Sequence, residues 1–177
     1  MIEKPACCAV NTPASSFFQK VLAYKPLLAA ALFSAVLAAV LAVAGLGGWM
    51  PLAMGFFFCF LAFLKLIDVP GFAAGFAQYD VLAARVPAYA RAYPFIEAAW
   101  GILYLSQFLP ALTNISVLVF MIIGNVGVWR VIRSGRSVAC VCVGAGFTVP
   151  VGRVTFVENG VMALMAGLNL FHIYSIL

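Results

Sequence analysis

The sequence predicts an all-α integral membrane protein, a bundle of about five transmembrane helices with the N-terminus inside and the C-terminus outside. Three observations carry this expectation. Hydrophobic residues make up 66% of the 177 residues and charged residues 8%, with a mean hydropathy of +1.14. Soluble domains are nearer half apolar and a quarter charged, so lipid must be the solvent for most of this surface. Five apolar runs each come close to the roughly 17–25 residues that a crossing helix needs. Finally, threading the chain through five spans puts all ten Lys and Arg residues on one side.

Residues 1–24 read as a flexible cytoplasmic tail carrying Cys7-Cys8, and 25–177 as one transmembrane domain. The first apolar run lies too far in, and is too long, for a signal-peptide core, so its retention is expected. The spans are expected at 27–48, 50–67, 94–112, 114–132 and 155–177. Short links at Gly47-Gly48-Trp49 and Pro110 to Thr113 predict antiparallel hairpins for spans one and two, and for spans three and four. Lys4, Lys20 and Lys25 precede span one. Lys65, Arg85 and Arg91 lie at or after the end of span two, and Arg130, Arg133, Arg136 and Arg153 between spans four and five. The positive-inside rule makes that side the cytoplasm of a bacterial-type inner membrane. The +5 net charge therefore belongs to membrane orientation. The basic residues are not interleaved with aromatics, so nucleic acid is not expected as a partner and the lipid bilayer is.

Between spans two and three, Phe72, Phe76, Tyr79 and Ala83 recur at helical spacing opposite Gln78, Asp80 and Arg85, as in a short helix lying in the headgroup region. The run 138–151 is apolar, too short to cross, and interrupted by Gly144, Gly146 and Pro150. It reads as a re-entrant or interface-hugging loop. There is no sign of an internal repeat or of a second domain.

Candidate chemistry gathers at the cytoplasmic mouth. Cys140 and Cys142 lie in the 138–151 loop, flanked by Arg136 and Arg153, whose positive field favours thiolate. Glu97 and Glu158 stand about one turn into spans three and five, with Lys65 and Asp68 as supporting polar groups from the end of span two. Buried acids in a membrane face a protein interior or a water-filled cavity and mark function by default. The bland alternative is that each caps a helix start.

The cysteines have two chemical readings. One is a working dithiol, with a thiol-disulfide oxidoreductase-like activity in which the glutamates accept and return protons. The other is a soft-metal clamp for Cu(I) or Hg(II), with Cys7 and Cys8 capturing the ion and Cys140 and Cys142 receiving it. In the third, structural reading the thiols are small hydrophobes. Cys59 reads as a lipid- or core-facing hydrophobe, and His172 as an interfacial residue without a ligand-spaced partner. No phosphate loop, zinc signature or nucleophile elbow is present.

From about Tyr24 onward the chain resembles the MauE/DoxX-type redox-associated membrane proteins. The residues that carry the resemblance are YKPL at 24–27, FLKLIDVPGFAAGFAQYDVLA at 63–83, YPFIEAAWGILYL at 93–105 and CVCVGAGFTVPVGRVTFVEN at 140–159. The resemblance implies a four-helix core, here with one N-terminal helix added. It also implies a role in methylamine utilisation, where such proteins support maturation of the disulfide-rich small subunit of methylamine dehydrogenase. The expected partner is then a protein thiol or disulfide, and in the metal reading a metallochaperone. Some similar proteins carry a heavy-metal-associated domain before YKPL, where this chain has only its short tail. One tension follows. A dithiol that oxidises exported proteins should face the exported side, yet the charge rule turns this one toward the cytoplasm.

Overall fold

The computed structural model describes residues 25–135, 139–141, 149–150 and 153–176. Cys7, Cys8 and Cys142 lie outside them, and Cys140 is placed by its backbone. The protein is a helical membrane protein, and the described residues form six helices: α1 (Lys25–Val43), α2 (Trp49–Leu66), α3 (Val69–Phe76), α4 (Pro87–Ser106), α5 (Pro110–Ser134) and α6 (Arg153–Ile176). Before α6, β1 (Ala139–Cys140) and β2 (Val149–Pro150) form a two-residue antiparallel ladder pairing Cys140 with Val149. Four helices, α1, α2, α5 and α6, are long and apolar enough to cross a membrane. α4 has a comparable length of 20 residues but is less apolar, carrying Arg91, Glu97 and three tyrosines. Many apolar side chains, Leu32, Phe63, Leu164 and Phe171 among them, point outward as a lipid solvent requires.

Prolines and left-handed residues set the helix ends. Pro87 and Pro110 stand in the first turns of α4 and α5, where a missing N–H costs nothing. The expected span 94–112 therefore shifts. The run Pro87 to Tyr93 is already helical, and the chain breaks after Ser106 because Gln107 and Leu109 turn left-handed (φ 55° and 50°) ahead of Pro110. Glu97 consequently lies nearly three turns into α4 rather than one.

α1 packs on α2 as expected, but the second expected hairpin is not the main pairing: α4 packs chiefly along α2, and α5 along α6. Glycine explains the first of these contacts. A Cβ at Gly101 would strike Cys59 Sγ, and one at Gly55 would lie 2.7 Å from Leu105. These small residues let α2 and α4 approach closely and antiparallel. α3 ends at Phe76 and gives way to turns. Phe72, Phe76, Tyr79 and Ala83 form the buried face that the spacing predicts. Asp80 was expected on the opposite face but is buried at 2% exposure, because the turns after α3 swing it inward to accept from the Leu82 and Ala83 amides at 2.9 and 2.8 Å.

Candidate functional site

Lys65 stands in the last turn of α2, and Glu97 projects from the α4 face that packs along it. The ammonium lies 2.6 Å from both carboxylate oxygens, and the two side chains are 5% and 3% exposed. The cation also sits over the Phe72 and Tyr93 rings, 5.7 and 5.6 Å from their centroids. An ammonium without water is held by an opposite charge and by aromatic faces. The aromatic wall continues as Phe76 packs at a tilt against Tyr93 (4.6 Å) and Trp100 packs edge-on against Phe120 (5.2 Å).

The pair borders a cavity of about 30 Å³, which also touches Tyr79, Asp80, Glu158 and Asn159. That is room for about one water molecule. Glu158 comes from α6, close enough to Lys65 and Glu97 for their charges to act on it. Its Oε2 is buried without a hydrogen-bond partner. One cation thus faces two carboxylates, and the second carboxylate oxygen is left open to a proton, a water or a ligand donor. Such a chamber has the groups to take up and release a proton.

The chamber is tied to the cysteine motif through the residue between the two cysteines. Val141 is 6% exposed and packs on Gly75, where an added Cβ would lie 2.5 Å from its Cγ1. The Val141 amide donates to the Tyr79 hydroxyl. Burial pushes the Tyr79 phenol well up, and that donated hydrogen bond works against it. Burial likewise raises the Asp80 carboxyl, opposed by the Ala83 and Leu82 amides.

Of the sequence-predicted site residues, Lys65, Glu97 and Glu158 come together. Asp68 does not join them. It caps α3, accepting from the Gly71 amide at 2.9 Å. Glu97 has a lysine partner deep in its helix, which answers the alternative that it caps a helix start. Cys59 packs between helices against Gly101, and His172 is exposed. Among the described residues no three His, Cys, Asp or Glu side chains converge as a metal site. Tyr79, Asp80, Tyr93 and Asn159 were not foreseen in the site. The aromatic spacing around Tyr79 was the available signal, and it points only to burial.

No match is found among curated proteins or among solved structures. A family model described as methylamine utilisation protein MauE matches residues 27–172, most of the chain, and the chain therefore belongs to the MauE family.

Proposed function

We propose that this multi-pass membrane protein is a thiol-redox protein of methylamine utilisation, using Cys140 and Cys142 to form disulfides in a partner protein. In each cycle a Cys140–Cys142 disulfide takes two electrons from a pair of partner thiols through a mixed disulfide. The partner leaves as the disulfide, and Cys140 and Cys142 are left as the dithiol. The observation that supports this reading is the anchoring of Val141. The residue between the two cysteines is held by Tyr79, which shares a chamber with Lys65, Glu97 and Glu158. Thiol exchange needs a proton acceptor and donor near the sulfurs, and the two glutamates would serve, with Lys65 holding Glu97 in place.

In this reading α4 is the fifth crossing, since it follows α2 from Gly55 and Leu105 at one end to Lys65 and Glu97 at the other. The protein then sits N-in and C-out in a bacterial-type cytoplasmic membrane, by the positive-inside rule, so the cysteine pair exchanges electrons with its partner on the cytoplasmic side.

Equilibration of the purified protein in a graded thiol–disulfide buffer series, with alkylation of free thiols, tests the chemistry. A reversible two-electron couple is expected, lost in Cys140→Ser and in Cys142→Ser. Tight stoichiometric Cu(I) or Hg(II) binding that Cys140→Ser abolishes, without such a couple, would replace this reading with a soft-metal carrier. For orientation, an impermeant maleimide applied to right-side-out vesicles should leave both cysteines unlabelled, and labelling from outside would reverse the assignment.

A further inference from the structure

One face of α5 changes character along its length. Ile122, Val126, Trp129, Arg130 and Arg133 recur three or four residues apart, so they share one stripe, and all five are exposed. A groove of about 830 Å³ runs along this stripe, with Phe156 of α6 as its other wall. The Trp129 and Phe156 rings lie 5.9 Å apart, and the Arg133 guanidinium lies 5.9 Å over the Trp129 ring. Arg130 also borders a second cavity of about 330 Å³, which Gln78 and Arg85 line as well. From Ile122 to Arg133 the helix rises about 16 Å, close to half of a hydrocarbon core roughly 30 Å thick. The stripe therefore offers one leaflet an apolar track, an indole at headgroup level and guanidiniums beyond it.

These arginines have no counter-charge among the described residues. The ion pair there is Lys65 with Glu97. The other described acids are committed elsewhere: Asp68 caps α3, Glu158 borders the chamber, and Asp80, beside Arg85 and Arg130, is 2% exposed with an oxygen taken by two amides. The balancing charge must come from outside the chain.

The occupant must combine negative charge with an apolar body. A soluble acidic protein would reach the arginines but not the track at bilayer depth. A second copy of this chain would reach the track, yet among the described residues it brings only Asp68 as an exposed carboxylate. An anionic phospholipid satisfies both ends, since guanidinium forks take phosphate oxygens and an acyl chain follows the apolar residues. We propose that the α5–α6 groove binds an anionic phospholipid, its phosphate held by Arg130 and Arg133 and an acyl chain lying along Val126 and Ile122. In the orientation proposed above this is a lipid of the cytoplasmic leaflet. The binding does not depend on the thiol-redox reading.

Trp129 reports on occupancy. The full chain carrying Trp49→Phe, in which the remaining Trp100 is buried, is placed in phosphatidylcholine nanodiscs. These contain a graded fraction of phosphatidylglycerol brominated near the head of its acyl chains, and brominated phosphatidylcholine is the comparison. Quenching of Trp129 is expected to saturate at a phosphatidylglycerol fraction several-fold below the phosphatidylcholine fraction that gives the same effect. With each variant scaled to its own unquenched signal, this preference should fall about fivefold in Arg130→Gln and again when Arg133→Gln is added. Arg91, exposed and bordering neither cavity, is the control, and Arg91→Gln should leave the preference unchanged. Equal quenching by the two lipids would overturn the proposal. So would a loss in Arg91→Gln as large as in Arg130→Gln, which would mean diffuse attraction rather than a site. Quenching by neither lipid, in a chain that sediments as a dimer, would put a second copy in the groove and overturn it as well.

Discussion

The Lys65 ammonium lies 2.6 Å from both oxygens of Glu97, joining two helices across 32 residues of sequence in a site that water scarcely reaches. Removing one partner strands the other charge. Glu97→Gln and Lys65→Met are each expected to cost about 3–5 kcal/mol of stability. The double variant Lys65→Met with Glu97→Leu replaces the pair by apolar volume and should recover most of that loss. Denaturant titration in detergent of both singles and the double gives the coupling. Losses that simply add would mean the two charges do not depend on one another. A double variant that folds well but no longer turns over would identify the pair as functional rather than structural.

The turn at Tyr79 and Asp80 sits on α5 at a single glycine. A Cβ on Gly127 would collide with the Tyr79 carbonyl oxygen, which is backbone and has little room to give. Gly127→Ala should destabilise by about 1–3 kcal/mol through overpacking. Gly167→Ala is the matched control. It has nothing within 4 Å of the new Cβ, and should be neutral or gain up to about 1 kcal/mol of helix propensity. Thermal unfolding of the two variants side by side checks the pair. Equal melting temperatures would mean that the turn does not bear on α5 as closely as its geometry indicates.

The helical membrane fold was legible because composition and apolar run length report directly on solvent, and lipid is the solvent here. Lys65 and Glu97 were readable as candidates because ionisable residues in such runs are rare. Their partnership was not, since nothing in a sequence relates position 65 to position 97 before α2 and α4 are known to pack. The boundary of α4 was missed because hydropathy dilutes across Tyr89, Arg91 and Tyr93, while helix formation does not depend on hydropathy. Asp80 was misread for a related reason: helical periodicity was extended past Phe76, where the chain turns and the 3.6-residue rule no longer decides which side is buried.

Tyr79 links the cysteine motif to the chamber by one hydrogen bond, from the Val141 amide to its hydroxyl. Tyr79→Phe keeps the ring and its packing on Phe76, and removes only that acceptor. The fold should survive at a cost of about 1–3 kcal/mol for the orphaned amide. The alkylation rate of Cys140 and Cys142 should rise several-fold as Val141 loses its tether. Timed alkylation followed by mass analysis reads this directly. Rates identical to the parent protein would show that the tether does not control the thiols.

Asp80 gives the protein a pH dependence whose sign follows from its surroundings. Its carboxyl is raised by burial, against the Ala83 and Leu82 amides, so in the folded state it holds a proton that the unfolded chain has already released. Stability should therefore fall as pH rises from the unfolded value near 3.8 through the folded one, and the penalty is complete above it. Tyr79, Arg85 and Arg130 line the outer pocket beside Asp80, and Lys65, Tyr93, Glu97 and Glu158 the inner chamber. Asp80→Asn retains an oxygen for both amides and carries no charge. It should match the parent at acid pH and exceed it at neutral pH, whereas Asp80→Ala should lose about 1–3 kcal/mol at every pH because both amides lose their acceptor. Unfolding midpoints measured across pH for the three proteins separate charge from hydrogen bonding. A parent-minus-Asn difference that stays flat with pH would mean that the buried carboxylate is neutralised by its cationic neighbours, with Arg85 and Arg130 the first to test.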